Sequence, residues 1–309
     1  MKKNTHIRAA SKTAILASIA CFAFGTVSAD ILPLRFDDGN GTSSVDQFAG
    51  TGGDGWAGGW VSRNPQTDNM TTNVVNTNPL TTGGGNYLSV SGSSGTSGND
   101  NRFYNIGRQY NDSTGLALDA YHEVSFEFRL DSVIEGRLSH VNTYFNFMDR
   151  PGTVTGDLND FGGDGRWLIR NYPGTAGPTG TGQANFLLYD GEKDGGGFNT
   201  DRFVDSGVTL NLEDVYRFTI LLNPEEGEWQ ARIQNLTANT DYLSDVLGFR
   251  TDATSASGEL LFGFRDRSGG VNPTYSFDNV TVAIPEPGTL VLLGIAGVAG
   301  LIGFRRRKR

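Results

Sequence analysis

The side chains best suited to chemistry are carboxylates in glycine-rich segments. Three segments group acidic and amide side chains: Asp37, Asp38 and Asn40; Asp157, Asn159, Asp160 and Asp164; and Asp190, Glu192 and Asp194. Hard cations such as Ca²⁺ bind several oxygen ligands from loops of this kind, but none of the segments has the twelve-residue EF-hand spacing. Asp and Gly are also the ordinary residues of solvated turns, which is the simpler interpretation. For a single structural calcium ion we expect Asp37 or Asp38 together with Asp278.

The sequence offers few candidates for nucleophilic or acid–base catalysis. Beyond residue 29 there are two histidines, His122 and His140, and neither belongs to a metal-binding spacing such as His-Glu-x-x-His. There is no Gly-x-Ser-x-Gly elbow for a serine nucleophile and no glycine-rich phosphate loop before a helix. We therefore predict no catalytic residue, and no cofactor other than the structural calcium considered above.

The densest carboxylates on a predicted strand are Glu123, Glu127 and Asp131. A glycoside hydrolase needs two carboxylates about 5 to 10 Å apart that flank the sugar bond. Glu123 and Glu127 share one face of the strand, but it is the face opposite Phe126 and Phe128, which we expect to be solvated. A glycan hydrolase is therefore an alternative without an assigned catalytic pair.

Aromatic side chains in or beside glycine-rich segments are candidates for stacking on sugar rings. They are Trp56, Trp60, Trp167 and Tyr172. An exposed ring binds the C–H face of a sugar while polar groups at its rim bind the hydroxyls. Core packing is the competing interpretation for a tryptophan in a β-sandwich, so both sugar binding and the absence of a specific ligand stay open.

Charge is distributed unevenly along the chain. Of the 25 Lys and Arg residues, four precede residue 30 and five form the stretch 305–309. All 34 Asp and Glu residues lie between these ends, which gives residues 30–304 a net charge of −18. A surface of this sign repels the phosphates of nucleic acids and anionic lipid heads. We therefore expect no nucleic acid among the partners.

The elements that must position these side chains are strands. Residues 124–130 alternate apolar and polar side chains, and residues 215–235 form a hairpin pattern with its turn at 223–227. The 43 glycines, together with abundant Asn, Asp, Ser and Thr, disfavour helices, and no internal repeat is present. The sequence predicts an all-β fold, a two-sheet antiparallel sandwich of ten or more strands, in one domain over residues 30–284.

The last strand of this region contains an irregularity. Tyr275 and Phe277 occupy odd-numbered positions, whereas Val280 and Val282 occupy even-numbered positions. A regular strand would place the two pairs on opposite faces of the sheet. A β-bulge near Asp278-Asn279 would let both pairs face the core.

The first 29 residues have the pattern of a secretory signal peptide. A basic start is followed by an apolar run and by a small-residue exit that ends at Ala29, before Asp30. We expect transport by the Sec translocon and cleavage between Ala29 and Asp30 by signal peptidase. The single cysteine, Cys21, would be removed with this segment; its use as a lipoprotein acceptor is an alternative that lacks the usual aliphatic residue upstream.

Near the other end, Thr289 to Phe304 is an uncharged apolar run, about 24 Å long as a helix at ~1.5 Å per residue. This length predicts a short transmembrane helix. The basic residues 305–309 would then stay on the cytoplasmic side. Pro285, Glu286 and Pro287 precede the apolar run directly.

Pro-Glu-Pro, an apolar helix and an Arg-rich end, in this order and behind a signal peptide, resemble the PEP-CTERM sorting signal of Gram-negative bacteria. Residues 285–309 would form this signal. The resemblance implies that a membrane-embedded exosortase recognises Pro285, Glu286 and Pro287, cleaves nearby and releases the body to the cell surface or the extracellular matrix. It also implies an association with exopolysaccharide, a candidate partner. A plain C-terminal membrane anchor is the alternative.

The body itself resembles the concanavalin A-like and laminin-G-like jelly rolls. The resemblance lies in the order of an early LRFDDGNG segment, a GGDGWAGGW segment, the VSFEFRL, YRFTILL and EWQARI strands, and a final YSFDNVTV strand. It implies a jelly-roll sandwich whose last strand lies beside its first. The sequence thus predicts an exported, non-catalytic surface or matrix protein with a structural or glycan-binding role; an adhesin without a glycan ligand and a glycan hydrolase are the alternatives.

Overall fold

A computed structural model describes the greater part of the body of the chain. The described residues are 30–34, 60–62, 70–81, 85–93, 102–111, 121–133, 144–151, 165–171, 185–191, 202–250, 257–266 and 272–284. The predicted signal peptide with Ala29, the Pro285-Glu286-Pro287 motif and the apolar run from Thr289 to Phe304 lie outside these ranges. Within them, no helix has the length and apolar character needed to cross a membrane.

The described elements are sixteen β-strands, numbered in chain order, in two antiparallel sheets. The nine-stranded sheet contains β1 (Asp30–Leu34), β3 (Met70–Val75), β4 (Tyr87–Gly92), β6 (His122–Ser132), β11 (Val215–Asn223), β12 (Glu228–Asn235), β13 (Thr240–Leu243), β14 (Leu247–Gly248) and β16 (Thr274–Ile284). Its strand order is β13-β12-β11-β6-β16-β4-β3, with β1 beside β16 and β14 beside β12.

The seven-stranded sheet completes the sandwich. It contains β2 (Val61–Ser62), β5 (Arg102–Asn111), β7 (Tyr144–Pro151), β8 (Leu168–Asn171), β9 (Asn185–Tyr189), β10 (Phe203–Thr209) and β15 (Ser257–Asp266). Its strand order is β10-β9-β8-β7-β15-β5-β2. The predicted all-β, two-sheet antiparallel sandwich is thereby confirmed.

Aromatic side chains of both sheets interlock at the centre of the core. Phe126 of the nine-stranded sheet contacts Phe147 and Phe262 of the seven-stranded sheet, with ring centroids 5.3 and 4.7 Å apart. Phe218 stacks on Phe126 at 4.9 Å within its own sheet. Edge-to-face and offset contacts of this kind add to the burial of apolar area. The two sheets are therefore held by one shared core.

The predicted hairpin forms with the expected register. β11 and β12 pair from Tyr216 opposite Asn235 to Asn223 opposite Glu228. Gly227 has φ +68°, a left-handed conformation that glycine adopts without steric cost, and it closes the turn. The apolar residues of one parity on each strand enter the core, so the other parity faces outward.

The predicted β-bulge in the last strand is confirmed. Asp278 of β16 lies opposite Glu127, and Thr281 lies opposite Ser125, so β16 contains one more residue than β6 over this interval. Asn279 has φ +51°, which is tolerated by asparagine more readily than by most residues. Both apolar pairs that flank the bulge are fully buried. The extra residue shifts the alternation by one position, so Val280 and Val282 face the core as Tyr275 and Phe277 do.

The first and last described strands are neighbours. β1 pairs antiparallel with the second half of β16, from Asp30 opposite Ile284 to Leu34 opposite Val280. The expectation that the last strand lies beside the first is therefore confirmed. The two ends of the sandwich leave it from adjacent positions.

Two of the aromatic residues considered for sugar stacking belong to the core. Trp60 is 1% exposed, with its ring 5.4 Å from that of Phe277, and Trp167 is fully buried, 6.3 Å from the ring of Trp229. The expectation that these two rings present an exposed stacking face is wrong, because both indoles pack in the core between the two sheets. Trp56 and Tyr172 lie outside the described residues.

Candidate functional site

The carboxylate of Glu127 is buried, which corrects the expectation of a solvated face around it. The residue is 1% exposed although it lies on the outward side of β6. Arg217 Nη2 donates a hydrogen bond to Oε1 at 2.5 Å, and Asn279 Nδ2 donates to Oε2 at 2.9 Å. Both oxygens are engaged by neighbouring strands, so Glu127 connects β11 to the bulge of β16 rather than acting on a ligand.

Asp149 and Asp131 are likewise held in ion pairs. Asp149 is fully buried beside Arg166, whose Nε donates to its Oδ2 at 2.7 Å. Asp131 accepts from Arg129 Nε at 2.5 Å. These residues therefore have a structural role.

The calcium prediction rests on residues that the structure describes only in part. Asp278 is buried, and its Oδ1 accepts the backbone N–H of Asn279 at 2.7 Å. Asp37 and Asp38 lie outside the described residues. Among the described residues, no three His, Cys, Asp or Glu side chains are grouped so that they could hold a metal ion. A structural calcium ion stays a prediction.

The outward side of the seven-stranded sheet has a polar cluster that is closed to solvent. The Arg170 guanidinium lies 4.1 Å from the centre of the Tyr144 ring, and Arg170 Nε donates to Asn146 Oδ1 at 2.6 Å. All three side chains are buried. This cluster therefore offers no open surface to a ligand in the structure as it stands.

The outward side of the nine-stranded sheet has an open cleft over β11 and β12, beside the residue that precedes β6. Its volume is about 160 Å³. The residues that line it are Tyr121, Leu221, Asn223, Glu228, Trp229, Gln230 and Val246. We call this feature the β11 cleft.

Strand register explains how the floor of the β11 cleft is formed. Leu221 lies opposite Glu123 on one side and opposite Gln230 on the other. Residues that are opposite each other in neighbouring strands project from the same face. Because Ile220 and Leu222 face the core, this row of three side chains faces outward. A rigid sheet thus places an apolar side chain between a carboxylate and an amide.

The walls of the β11 cleft combine apolar groups with hydrogen-bond acceptors. Val246 is 58% exposed beside the half-buried Tyr121. Gln230 Nε2 donates to the carbonyl oxygen of Ser244 at 2.7 Å, which leaves its Oε1 available as an acceptor. Glu228 is exposed at the rim. The described lining residues include no Lys, Arg or His.

Burial changes the ionisation of two side chains at this cleft. It raises the pKa of the Glu123 carboxyl above its usual value. Burial also raises the pKa of the Tyr121 hydroxyl, and the negative charge of Glu123 raises it further. Tyr121 is therefore a protonated donor at neutral pH, and Glu123 holds its proton more tightly than an exposed glutamate does.

Sequence reasoning did not single out the residues of the β11 cleft. The available signal was the pair Leu221-Leu222. Alternate residues of this strand are already apolar and face the core, so Leu221, the first leucine of the pair, puts an apolar side chain on the outward face. Val246 could not be found in this way, because it lies between strands and enters the cleft only through the fold.

The C-terminal region and the whole chain have different similarities to known proteins. Residues 283–308 match the PEP-CTERM protein-sorting motif, which confirms the recognition made from the sequence. The motif implies export and processing by an exosortase. No curated protein matches the chain.

Several solved structures resemble the chain at low identity. Lectin UEA-II complexed with galactose is 11% identical, with a TM-score of 0.47, and the match covers 83% of this chain and 99% of that one. A GH131 β-glucanase catalytic domain from Podospora anserina is 14% identical, with a TM-score of 0.47 and coverage of 84% and 96%. The Ca²⁺- and mannose-bound lumenal domain of VIP36 is 11% identical, with a TM-score of 0.39 and coverage of 82% and 92%. Likenesses of this size assign neither a ligand nor an activity.

Proposed function

We propose that this protein is an exported, non-catalytic β-sandwich that binds glycan at the cell surface or in the extracellular matrix, in association with exopolysaccharide. The β11 cleft is the observation that carries this proposal. It is an open depression on a rigid sheet, and it places an aromatic ring and two aliphatic side chains beside amide and carboxylate oxygens. Sugars combine C–H faces with hydroxyl groups, so they fit a lining of both kinds.

The sorting motif supports the location. Its match begins at residue 283, and β16 ends at Ile284, so the motif follows the sandwich without a linker. The sandwich is then the domain whose sorting the motif directs. In this proposal the Sec translocon and signal peptidase act at the N-terminal side, and an exosortase recognises Pro285, Glu286 and Pro287. The released body remains at the surface or in the matrix.

Retention on polysaccharides tests the glycan proposal. The exported protein is run through gels that contain the host's own exopolysaccharide or reference polysaccharides, and its mobility gives the dissociation constant. We expect retention by the host polysaccharide and a loss of about tenfold for Leu221→Ala, because the apolar floor is removed. Thr219→Ala is the matched control, since Thr219 is the preceding outward residue of β11 and does not line the cleft.

Absence of wild-type retention on every polysaccharide would contradict the proposal and favour an adhesin or matrix protein without a glycan ligand. Equal losses for Leu221→Ala and Thr219→Ala would remove the β11 cleft from the binding site. Circular dichroism of each variant excludes unfolding as the cause of a loss.

A glycan hydrolase is the second candidate, because Glu123 lies opposite the cleft residue Leu221 and burial raises the pKa of its carboxyl. A raised pKa suits a general acid that protonates a leaving group. Incubation with the same polysaccharides, followed by assay of new reducing ends, separates the two functions. A hydrolase releases reducing ends that disappear in Glu123→Gln, whereas a binding protein releases none.

A further inference from the structure

We infer that the β11 cleft takes an uncharged sugar unit that carries a methyl group, such as a 6-deoxy or N-acetyl sugar, and that it excludes uronic acids. This inference rests on the proposed glycan binding and names the class of sugar that the cleft selects. The apolar floor, the charge of the lining and the size of the cleft lead to it.

The floor of the β11 cleft is more apolar than hydroxyl groups alone require. Leu221 lies at its centre, and Val246 presents an aliphatic side chain from the wall, more than half exposed. Tyr121 also lines this space. A methyl substituent placed between these groups leaves water for an apolar surface, which strengthens binding roughly fourfold for each methyl group that becomes fully buried. A hexose without a methyl group leaves the apolar surface of the cleft hydrated.

The charge of the lining opposes acidic sugars. Glu228 lines the cleft, and Glu123, just outside the lining, lies opposite Leu221 in the neighbouring strand, while the described lining offers no cationic side chain. A uronate carboxylate would enter beside these acids and lose hydration without gaining a counter-charge. The net charge of −18 on residues 30–304 adds long-range repulsion of the same sign.

The hydrogen-bonding groups suit a neutral ligand with hydroxyl donors. Gln230 offers its Oε1 because Nε2 is already bonded to the Ser244 carbonyl. Asn223 lies opposite Glu228 at the end of the hairpin, so an amide and a carboxylate stand side by side. Sugar hydroxyls donate to these oxygens, and the Tyr121 hydroxyl, which stays protonated, can donate in return.

The size of the β11 cleft limits what it holds. About 160 Å³ is below the roughly 300 to 1,000 Å³ typical of pockets for drug-sized ligands. The cleft therefore has room for one sugar ring or for a side group of a polysaccharide, and a long chain would run past it. A branch or a terminal unit is the natural ligand.

The test is titration of the exported protein with methyl glycosides, followed by ligand-observed NMR. The probes are methyl rhamnoside, methyl fucoside and methyl N-acetylglucosaminide, compared with methyl glucoside, methyl galactoside and methyl glucuronide. We expect the first three to bind roughly fourfold or more tightly than the plain hexosides, and the glucuronide not to bind. Leu221→Ala should abolish the preference for a methyl group, whereas Thr219→Ala should retain it.

A second variant tests the exclusion of acids by a gain of binding. Glu228→Gln removes a rim charge from an exposed position, so it should fold normally and allow the glucuronide to bind. Binding of the glucuronide by the wild type, or a methyl preference that survives in Leu221→Ala, would overturn the inference. Retention by a polysaccharide without any preference for methyl-bearing sugars would refute this inference and leave the proposed function standing. No binding of any glycan would refute both.

Discussion

The Tyr216 hydroxyl fixes the segment that joins the two sheets between β10 and β11. It donates a hydrogen bond to the carbonyl oxygen of Thr209 at 2.8 Å and accepts the backbone N–H of Asn211 at 2.8 Å. The ring itself is fully buried in the core. Burial raises the pKa of this hydroxyl far above its ordinary range, so it stays protonated and donates at all physiological pH values. One side chain thus satisfies two backbone groups at the entry to β11.

Tyr216→Phe should therefore destabilise the protein without changing its fold. Two backbone groups lose their partner, which costs about 1 to 3 kcal/mol of the free energy of unfolding. We expect thermal unfolding to shift downward by several degrees, measured by scanning calorimetry. Tyr242→Phe is the matched control, because Tyr242 is half-buried and its raised pKa comes from burial and nearby carboxylates rather than from a hydrogen bond. Equal shifts in the two variants would show that loss of a hydroxyl, rather than loss of these bonds, explains the effect.

The raised pKa of Glu123 leads us to expect that the free energy of unfolding of the protein depends on pH. Burial raises its pKa in the folded protein, so the folded state holds the proton more tightly than the unfolded state does. The associated stabilisation is present below the unfolded pKa of about 4.3 and is lost as pH rises through the higher folded pKa. Glu123→Gln removes this dependence, so the variant should be more stable than wild type at pH 7, by a shift that shrinks toward about pH 4. Melting temperatures of both proteins between these values provide the measurement, and a constant difference would contradict the assignment.

At the level of elements, periodicity predicted the strands and their faces well. The alternation in β6 and the hairpin of β11 and β12 depend on local patterns of period two, which a sequence records directly. The bulge at Asp278-Asn279 was also predictable, because two apolar pairs of opposite parity cannot share a face without an extra residue. These features need only the residues of one or two neighbouring strands.

The candidate site was not predictable in the same way. The sequence pattern predicts a solvated Glu127. The residue is buried instead, because Arg217 and Asn279, on strands that are distant in sequence, donate hydrogen bonds to its carboxylate. The β11 cleft joins Leu221 to Val246 through the packing of a loop against a sheet. Trp60 and Trp167 lie in glycine-rich surroundings that read as surface loops, yet the core takes up both rings. Contacts between remote segments decided each of these cases.

The pairing of β1 with β16 leads to a prediction about processing. Ile284 at the end of β16 is paired in the sheet opposite Asp30, and the sorting motif match begins inside the strand, at residue 283. Proteases act on extended chain that has left its secondary structure. An exosortase that binds residues before Pro285 must therefore first open the end of this strand pair. Strength of pairing between β1 and β16 should set the rate of cleavage.

A disulfide between the two strands tests this dependence. Ile31 lies opposite Ala283, and facing residues of antiparallel strands have a Cα separation within the disulfide range. In membranes that contain the exosortase, the oxidised Ile31→Cys, Ala283→Cys precursor should be cleaved several-fold more slowly than its reduced form, as read by immunoblot. Ile31→Cys alone is the control, and its cleavage should not respond to reductant. Equal rates for the oxidised and reduced double variant would show that the strand end does not limit cleavage.

At the scale of the whole molecule, charge separates the sandwich from the segment that follows it. Residues 30–304 carry a net charge of −18, whereas residues 305–309 are all basic, and the sorting motif match spans 283–308. Basic residues at the end of an apolar run are retained on the cytoplasmic side of a membrane, while an acidic body is compatible with export. The two regions would therefore suit different compartments, which is consistent with the exosortase processing that the sorting motif implies. Because Asp30 lies opposite Ile284, the strands that border the two predicted cleavage points end side by side.

The mass of the exported protein tests this division of the chain. We expect a mature protein that begins at Asp30, ends near Pro285 and contains no cysteine, since Cys21 leaves with the signal peptide. Replacement of Pro285 and Pro287 by Ala should leave the uncleaved precursor in the inner-membrane fraction, with little protein outside the cell. Pro224→Ala, in the turn between β11 and β12, is the control for proline replacement and should be exported normally. Exported protein that still carries residues 305–309 would contradict processing, because the basic end would then have crossed with the body.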